Sequence, residues 1–78
     1  MPKLIKNWNE LCGLENENFR LEIDTEMGCG NIISKATNQR VAYLSTHTFY
    51  GMRYKASTHL FQSFGFDIEI DNWDKESL

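Results

Sequence analysis

Residues 66–73 read FDIEIDNW, and from Phe66 to Asp71 apolar and acidic residues alternate without a break. Successive side chains of an extended chain point to opposite sides, so the pattern places Phe66, Ile68 and Ile70 on one face of a strand and Asp67, Glu69 and Asp71 on the other. One face demands a core and the other demands water. Directly upstream, Gly65 ends a helical pattern, so the segment reads as helix, glycine stop and strand. Any fold of this chain must bury the apolar row and leave the acids hydrated.

Working back from Gly65, Phe49, Met52, Ala56, Leu60 and Phe64 recur on one side of a helix over residues 49–64. Phe61 widens that stripe, while Arg53, Lys55, Thr58 and Gln62 face water. Thr46 or Thr48 is the expected N-cap. Gly51 weakens the first turn by up to about 1 kcal/mol relative to alanine. Further upstream, residues 19–26 (FRLEIDTE) repeat the strict alternation, with Phe19, Leu21 and Ile23 inward and Arg20, Glu22 and Asp24 outward. The MGCGN turn at residues 27–31 leads to a strand over 31–36, and the TNQR turn at 37–40 leads to another over 41–46. At the N-terminus Pro2 suits a first helical position. Leu4, Ile5, Trp8, Leu11 and Cys12 then follow at three-and-four spacing before Gly13, which predicts a helix over residues 3–12.

The predicted order is α-β-β-β-α-β, a small single α+β domain over residues 1–78 with a charged tail at 74–78. Its four-stranded, mostly antiparallel sheet carries both helices on one face and leaves the other face open. A helical return makes the closing strand parallel to the first and third strands of the meander, beside one of which it pairs.

A chain of 78 residues supplies only a few kcal/mol of net stability from one core, but ten aromatic residues give that core bulk. The N-terminal stretch has no uninterrupted apolar run, because Lys6, Asn7, Asn9 and Glu10 interrupt it. The reading therefore expects neither secretion nor membrane insertion, but a cytoplasmic protein. In that compartment Cys12 and Cys29 are expected as free thiols. With His47 and His59 they include the right ligand types for zinc, but lie 17, 18 and 12 residues apart, without the close pairs structural zinc uses. No metal and no cofactor are expected. His47, within the polar cluster 45–50, could act as a general base, but no acid is held beside it by sequence. The pair Gly28 and Gly30 lacks the third glycine and following helix of a nucleotide fingerprint. An enzyme is not expected.

Net charge is −3, and its distribution is more informative than its sum. Residues 15–26 and residues 66–78 each hold five acids and one base, while residues 27–50 and 51–65 are each +2. Glu22, Asp24, Glu26, Asp67, Glu69, Asp71 and Asp74 are thus candidates for an acidic field that steers and binds a basic partner. The ordinary alternative is a solvated sheet face that guards edges. Trp73 continues the acidic face if the strand extends that far, as an interface anchor, or folds over the core edge if the strand has ended. The preferred reading is a non-enzymatic binding protein that covers a basic, nucleic-acid-binding surface of a protein or nucleoprotein complex. In size and charge the chain is similar to the small acidic inhibitors that phages and mobile elements make against host nucleases, anti-CRISPR proteins among them. The runner-up is a nucleic-acid-binding module that uses Lys35, Arg40, Arg53 and Lys55. A small homo-oligomeric structural protein, such as a homodimer, is a third reading.

Overall fold

The computed structural model describes residues 2–45, 53–71 and 73, with seven elements in these segments. In chain order they are β1 (Lys3–Ile5), α1 (Trp8–Leu11), β2 (Phe19–Asp24), β3 (Cys29–Ser34), β4 (Arg40–Leu44), α2 (Arg53–Ser63) and β5 (Ile68–Ile70). The α+β class and the central meander stand: β2, β3 and β4 form an antiparallel three-stranded sheet in that order. The closing strand does not join it. β5 pairs in parallel with β1, Leu4 opposite Glu69 and Ile5 opposite Ile70, in a separate two-stranded sheet. The expected four-stranded sheet is therefore two sheets that share a core.

The difference starts at the N-terminus, where Lys3–Ile5 is a strand rather than the first turn of a helix. Asn7, extended at φ −154°, is the N-cap, and its side chain accepts the Glu10 N–H at 3.0 Å. The Glu10 carboxylate in turn accepts the Lys6 N–H at 3.3 Å. This reciprocal capping holds the helix start at Trp8 and frees the preceding residues to extend. Ile5 then faces inward and Leu4 outward, as strand neighbours must, while Cys12 is exposed beyond the helix.

The meander follows its alternation. Leu21 is buried, Phe19 and Ile23 pack against the core, and Glu22 and Asp24 are exposed. Gly28, at φ +69°, completes the β2–β3 turn. Asn38, at φ +58°, donates its N–H to the Ser34 carbonyl in the β3–β4 turn. The β3–β4 pairing shifts register between Ile32 and Ile33, since Ile32 faces Ala42 but Ile33 faces Arg40. Val41 is the extra residue, which makes a β-bulge on the edge strand.

Gly65 performs its predicted role at φ +88°. Its N–H reaches Gln62 O at 3.0 Å and the Phe66 N–H reaches Phe61 O at 3.0 Å, the paired bonds of a Schellman stop. The Phe61 and Phe66 rings meet edge to face at 6.2 Å across that stop. The buried side of α2 is rotated from the one expected. Ala56 is exposed, Leu60 and Phe64 are half-buried, and Ser57 and Phe61 are the deepest described residues of the helix. Small Ser57 lets the helix axis approach the core where a longer side chain would hold it off. The expected N-cap threonines and residues 49–52 lie outside the described residues.

The core joins both sheets and both helices: Ile5, Trp8, Leu11, Leu21, Ile32, Leu44, Phe61, Phe66, Ile68, Ile70 and Trp73 form one buried cluster. Asn16 fastens the meander to α2. Its Oδ1 accepts the N–H groups of Asn18 and Phe19, both at 2.9 Å, and its Nδ2 donates to Phe64 O at 3.0 Å. At roughly 1 kcal/mol net per bond, Asn16→Ala is expected to cost about 2–3 kcal/mol in urea unfolding. Asn16→Asp keeps the acceptor but not the donor, so it should also lower the midpoint, and an unchanged midpoint in either variant would refute this role.

Candidate functional site

The closing strand is shorter than the expected 66–73, but β5 and the residues on either side of it present the acids as the alternation requires. Phe66, Ile68 and Ile70 are buried, Asp67 and Glu69 are exposed, and Asp71 is half-buried. One edge of the strand bonds to β1, and two polar side chains of α2 complete the other. The Ile70 N–H donates to Thr58 Oγ1 at 2.9 Å, the Thr58 hydroxyl lies 3.3 Å from Ile70 O, and Gln62 Nε2 donates to Ile68 O at 3.4 Å. Thr58 and Gln62, expected to face water, thus cap a strand edge that would otherwise stand open. This anchoring to β1 and α2 gives Asp67 and Glu69 a fixed backbone.

Between α2 and β5 runs an open groove of about 290 Å³ lined by Lys55, Thr58, His59, Glu69, Ile70 and Asp71. Lys55 and His59, one helical turn apart, form one wall, and Glu69 and Asp71 form the other. Neither Asp67 nor Glu69 is in an ion pair with a described residue. On the water-facing side Leu4, opposite Glu69, is also exposed, so an apolar side chain lies beside the acids.

The other candidate acids have different surroundings. Glu22 Oε2 is 3.3 Å from Arg20 Nη2, which also donates to Asn38 Oδ1 at 2.8 Å. Asp24 Oδ1 accepts the N–H groups of Glu26 and Met27, both at 3.1 Å, and so serves the β2–β3 turn. Glu26 is exposed in that turn. β2 and β5 are in different sheets, so the expected continuous sheet row of Glu22 and Asp24 beside Glu69 and Asp71 is not formed. Trp73 is buried, its ring edge to face with Trp8 at 5.3 Å, so it belongs to the core edge and not to an open face. Asp74 lies outside the described residues.

Of the basic residues, Lys35 Nζ is 3.1 Å from Glu15 Oε1 beside the β3–β4 turn. Arg40 Nη1 donates to Asn31 Oδ1 at 3.5 Å, with its guanidinium 5.6 Å from the centre of the Tyr43 ring. Lys55 lines the groove against the acids, and the side chain of Arg53 lies outside the described residues. Cys12 and Cys29 are free, and among the described residues no group of three or more His, Cys, Asp or Glu is placed to hold a metal ion. His47 lies outside the described residues. Among those described, no helix is long and apolar enough to cross a membrane.

Sequence reasoning found the β5 acids but missed the groove. Its helical wall depends on the rotation of α2, and the one available signal was small, polar Ser57 four residues before Phe61. No protein-family model matches the chain, and no curated protein or solved structure matches it.

Proposed function

We propose that this is a non-enzymatic binding protein whose acidic segment 67–71, built around β5, engages a basic surface of a partner macromolecule. The observation that carries the reading is the placement of Asp67 and Glu69: both are exposed, both lack an ion-pair partner among the described residues, and both stand on a backbone fastened at both edges. Rigid charge that is not tied up in an ion pair raises association rates and selects for the opposite sign on the partner. Leu4, opposite Glu69 on β1, adds apolar contact beside the acids. A surface that binds nucleic acid is basic by necessity, because it must replace the counterions of phosphates. An acidic protein of this kind can occlude such a surface, in the manner of a phage or mobile-element inhibitor of a nuclease.

The test compares wild type with the double variant Asp67→Lys, Glu69→Lys as bait in a lysate of the native host, at low and high salt. Wild type is expected to recover a nucleic-acid-handling protein, to lose it as salt rises, and to compete with nucleic acid for it. The variant should bind that partner at least about tenfold more weakly, corresponding to about 1.4 kcal/mol. Equal recovery by both proteins would sink the reading, as would a partner whose nucleic-acid binding is untouched.

A further inference from the structure

Of the four strand edges among the described residues, three are closed or guarded. The outer edge of β2 is met by the preceding segment, with Asn16 N–H on Phe19 O at 2.9 Å and Leu21 N–H on Leu14 O at 3.1 Å. β5 is capped by Thr58 and Gln62. The free edge of β1 is three residues long and is flanked by Pro2, which has no N–H, and by Lys6, whose N–H is bound to Glu10. Such devices prevent strand addition. β4 is different: among the described residues nothing pairs with its outer side.

The register identifies the groups this edge offers. The Leu21 N–H points away from β3 to Leu14, so Leu21 and Ile32 exchange no bonds, and the polar groups of Ile32 face β4. Ile32 is therefore bonded to Ala42, and the N–H and C=O of Tyr43, the next residue, point outward. Tyr43 is 56% exposed and Val41 46%, two large apolar groups on the outer part of one short strand. The bulge at Val41 twists the start of β4, and Tyr43 lies beyond it in regular pairing. Lys35 is held by Glu15, and the charge on this strand is Arg40, which contacts no carboxylate among the described residues.

We infer that the outer edge of β4 accepts an extended acidic segment of a partner protein as an added strand. The outward N–H and C=O of Tyr43 supply the backbone pairing, Val41 and Tyr43 pack against alternate apolar side chains, and Arg40 meets an acid. This surface is distinct from the acidic one on β5 and does not depend on it.

The probes are an end-capped peptide of alternating glutamate and valine and its lysine–valine counterpart, titrated into the whole chain while backbone amide signals are followed by NMR. The glutamate peptide is expected to shift signals of residues 40–44 and to slow Tyr43 N–H exchange about tenfold, since that amide becomes hydrogen-bonded. Tyr43→Pro removes an N–H that no described residue bonds, a change edge strands tolerate, and should abolish binding. Tyr43→Ala keeps the N–H and should only weaken it. Arg40→Glu should reverse the preference toward the lysine peptide, a readout that stands even if the proline variant fails to fold. The proposal is overturned by any of four results: no shifts at millimolar peptide, equal binding of both peptides to wild type, shifts confined to other elements, or full binding by a folded Tyr43→Pro. Sedimentation of the free protein as a dimer that Tyr43→Pro dissolves would assign the edge to a second copy and overturn it too.

Discussion

Trp8→Ala is expected to remove about 3–5 kcal/mol of folding free energy. Trp8 is 1% exposed, sits at the start of the short helix α1, and meets Trp73 edge to face. Its ring belongs to the cluster that holds Ile5 of the small sheet together with Leu21 and Ile32 of the large one. Truncation would leave a cavity between the two sheets that neither backbone can collapse to fill, because each is held by its own ladder. At about 0.05–0.15 kcal/mol per residue, a chain of this length has only about 4–12 kcal/mol in total, so the variant should stand at the edge of unfolding at room temperature. Urea titration followed by far-UV circular dichroism measures this directly. Trp8→Phe should lose much less, and in that variant Trp73 is the sole indole, whose emission should shift to the red as the core opens. A loss below about 1 kcal/mol in Trp8→Ala would mean that the ring does not join the sheets.

Gly30→Ala is the second large effect, and its cause is contact rather than backbone freedom. A Cβ at this position would lie 2.6 Å from Ile23 Cδ1 and 2.7 Å from the Glu22 carbonyl oxygen. The isoleucine can turn away, but the carbonyl is part of β2 and can yield only if β2 and β3 separate. We expect a loss of about 2–3 kcal/mol, near the upper end for overpacking by a single methyl group. Gly13 provides the contrast. A methyl group added there would have no atom within 4 Å, so Gly13→Ala meets only the strain of φ +77°, about 1 kcal/mol. Paired urea titrations should rank Gly30→Ala clearly below Gly13→Ala, and the reverse order would show that β2 and β3 are not in this close register.

The inward and outward rows of β2 and β5 were legible in the chain because alternation is a local property, imposed by the pleat on each strand whatever its neighbour. The same holds for the glycine that ends α2, where the left-handed residue and the phenylalanine after it are sequence neighbours. In the candidate site this made Asp67 and Glu69 readable as a hydrated pair. The groove beside them was not readable, because it depends on the face α2 turns to β5. Thr58 and Gln62 look like solvent residues until a strand edge needs donors and acceptors. The partner of β5 was equally hidden. Lys3–Ile5 is too short to carry a period, its apolar residues also fit a helix, and only the Asn7 and Glu10 caps mark the true start of α1. By itself, then, the sequence determined which side of each strand is wet, where α2 stops and where the acids stand. The tertiary structure decided which strands pair, how α2 is turned and that Trp73 is buried, because those depend on distant groups competing for the same edges and the same core.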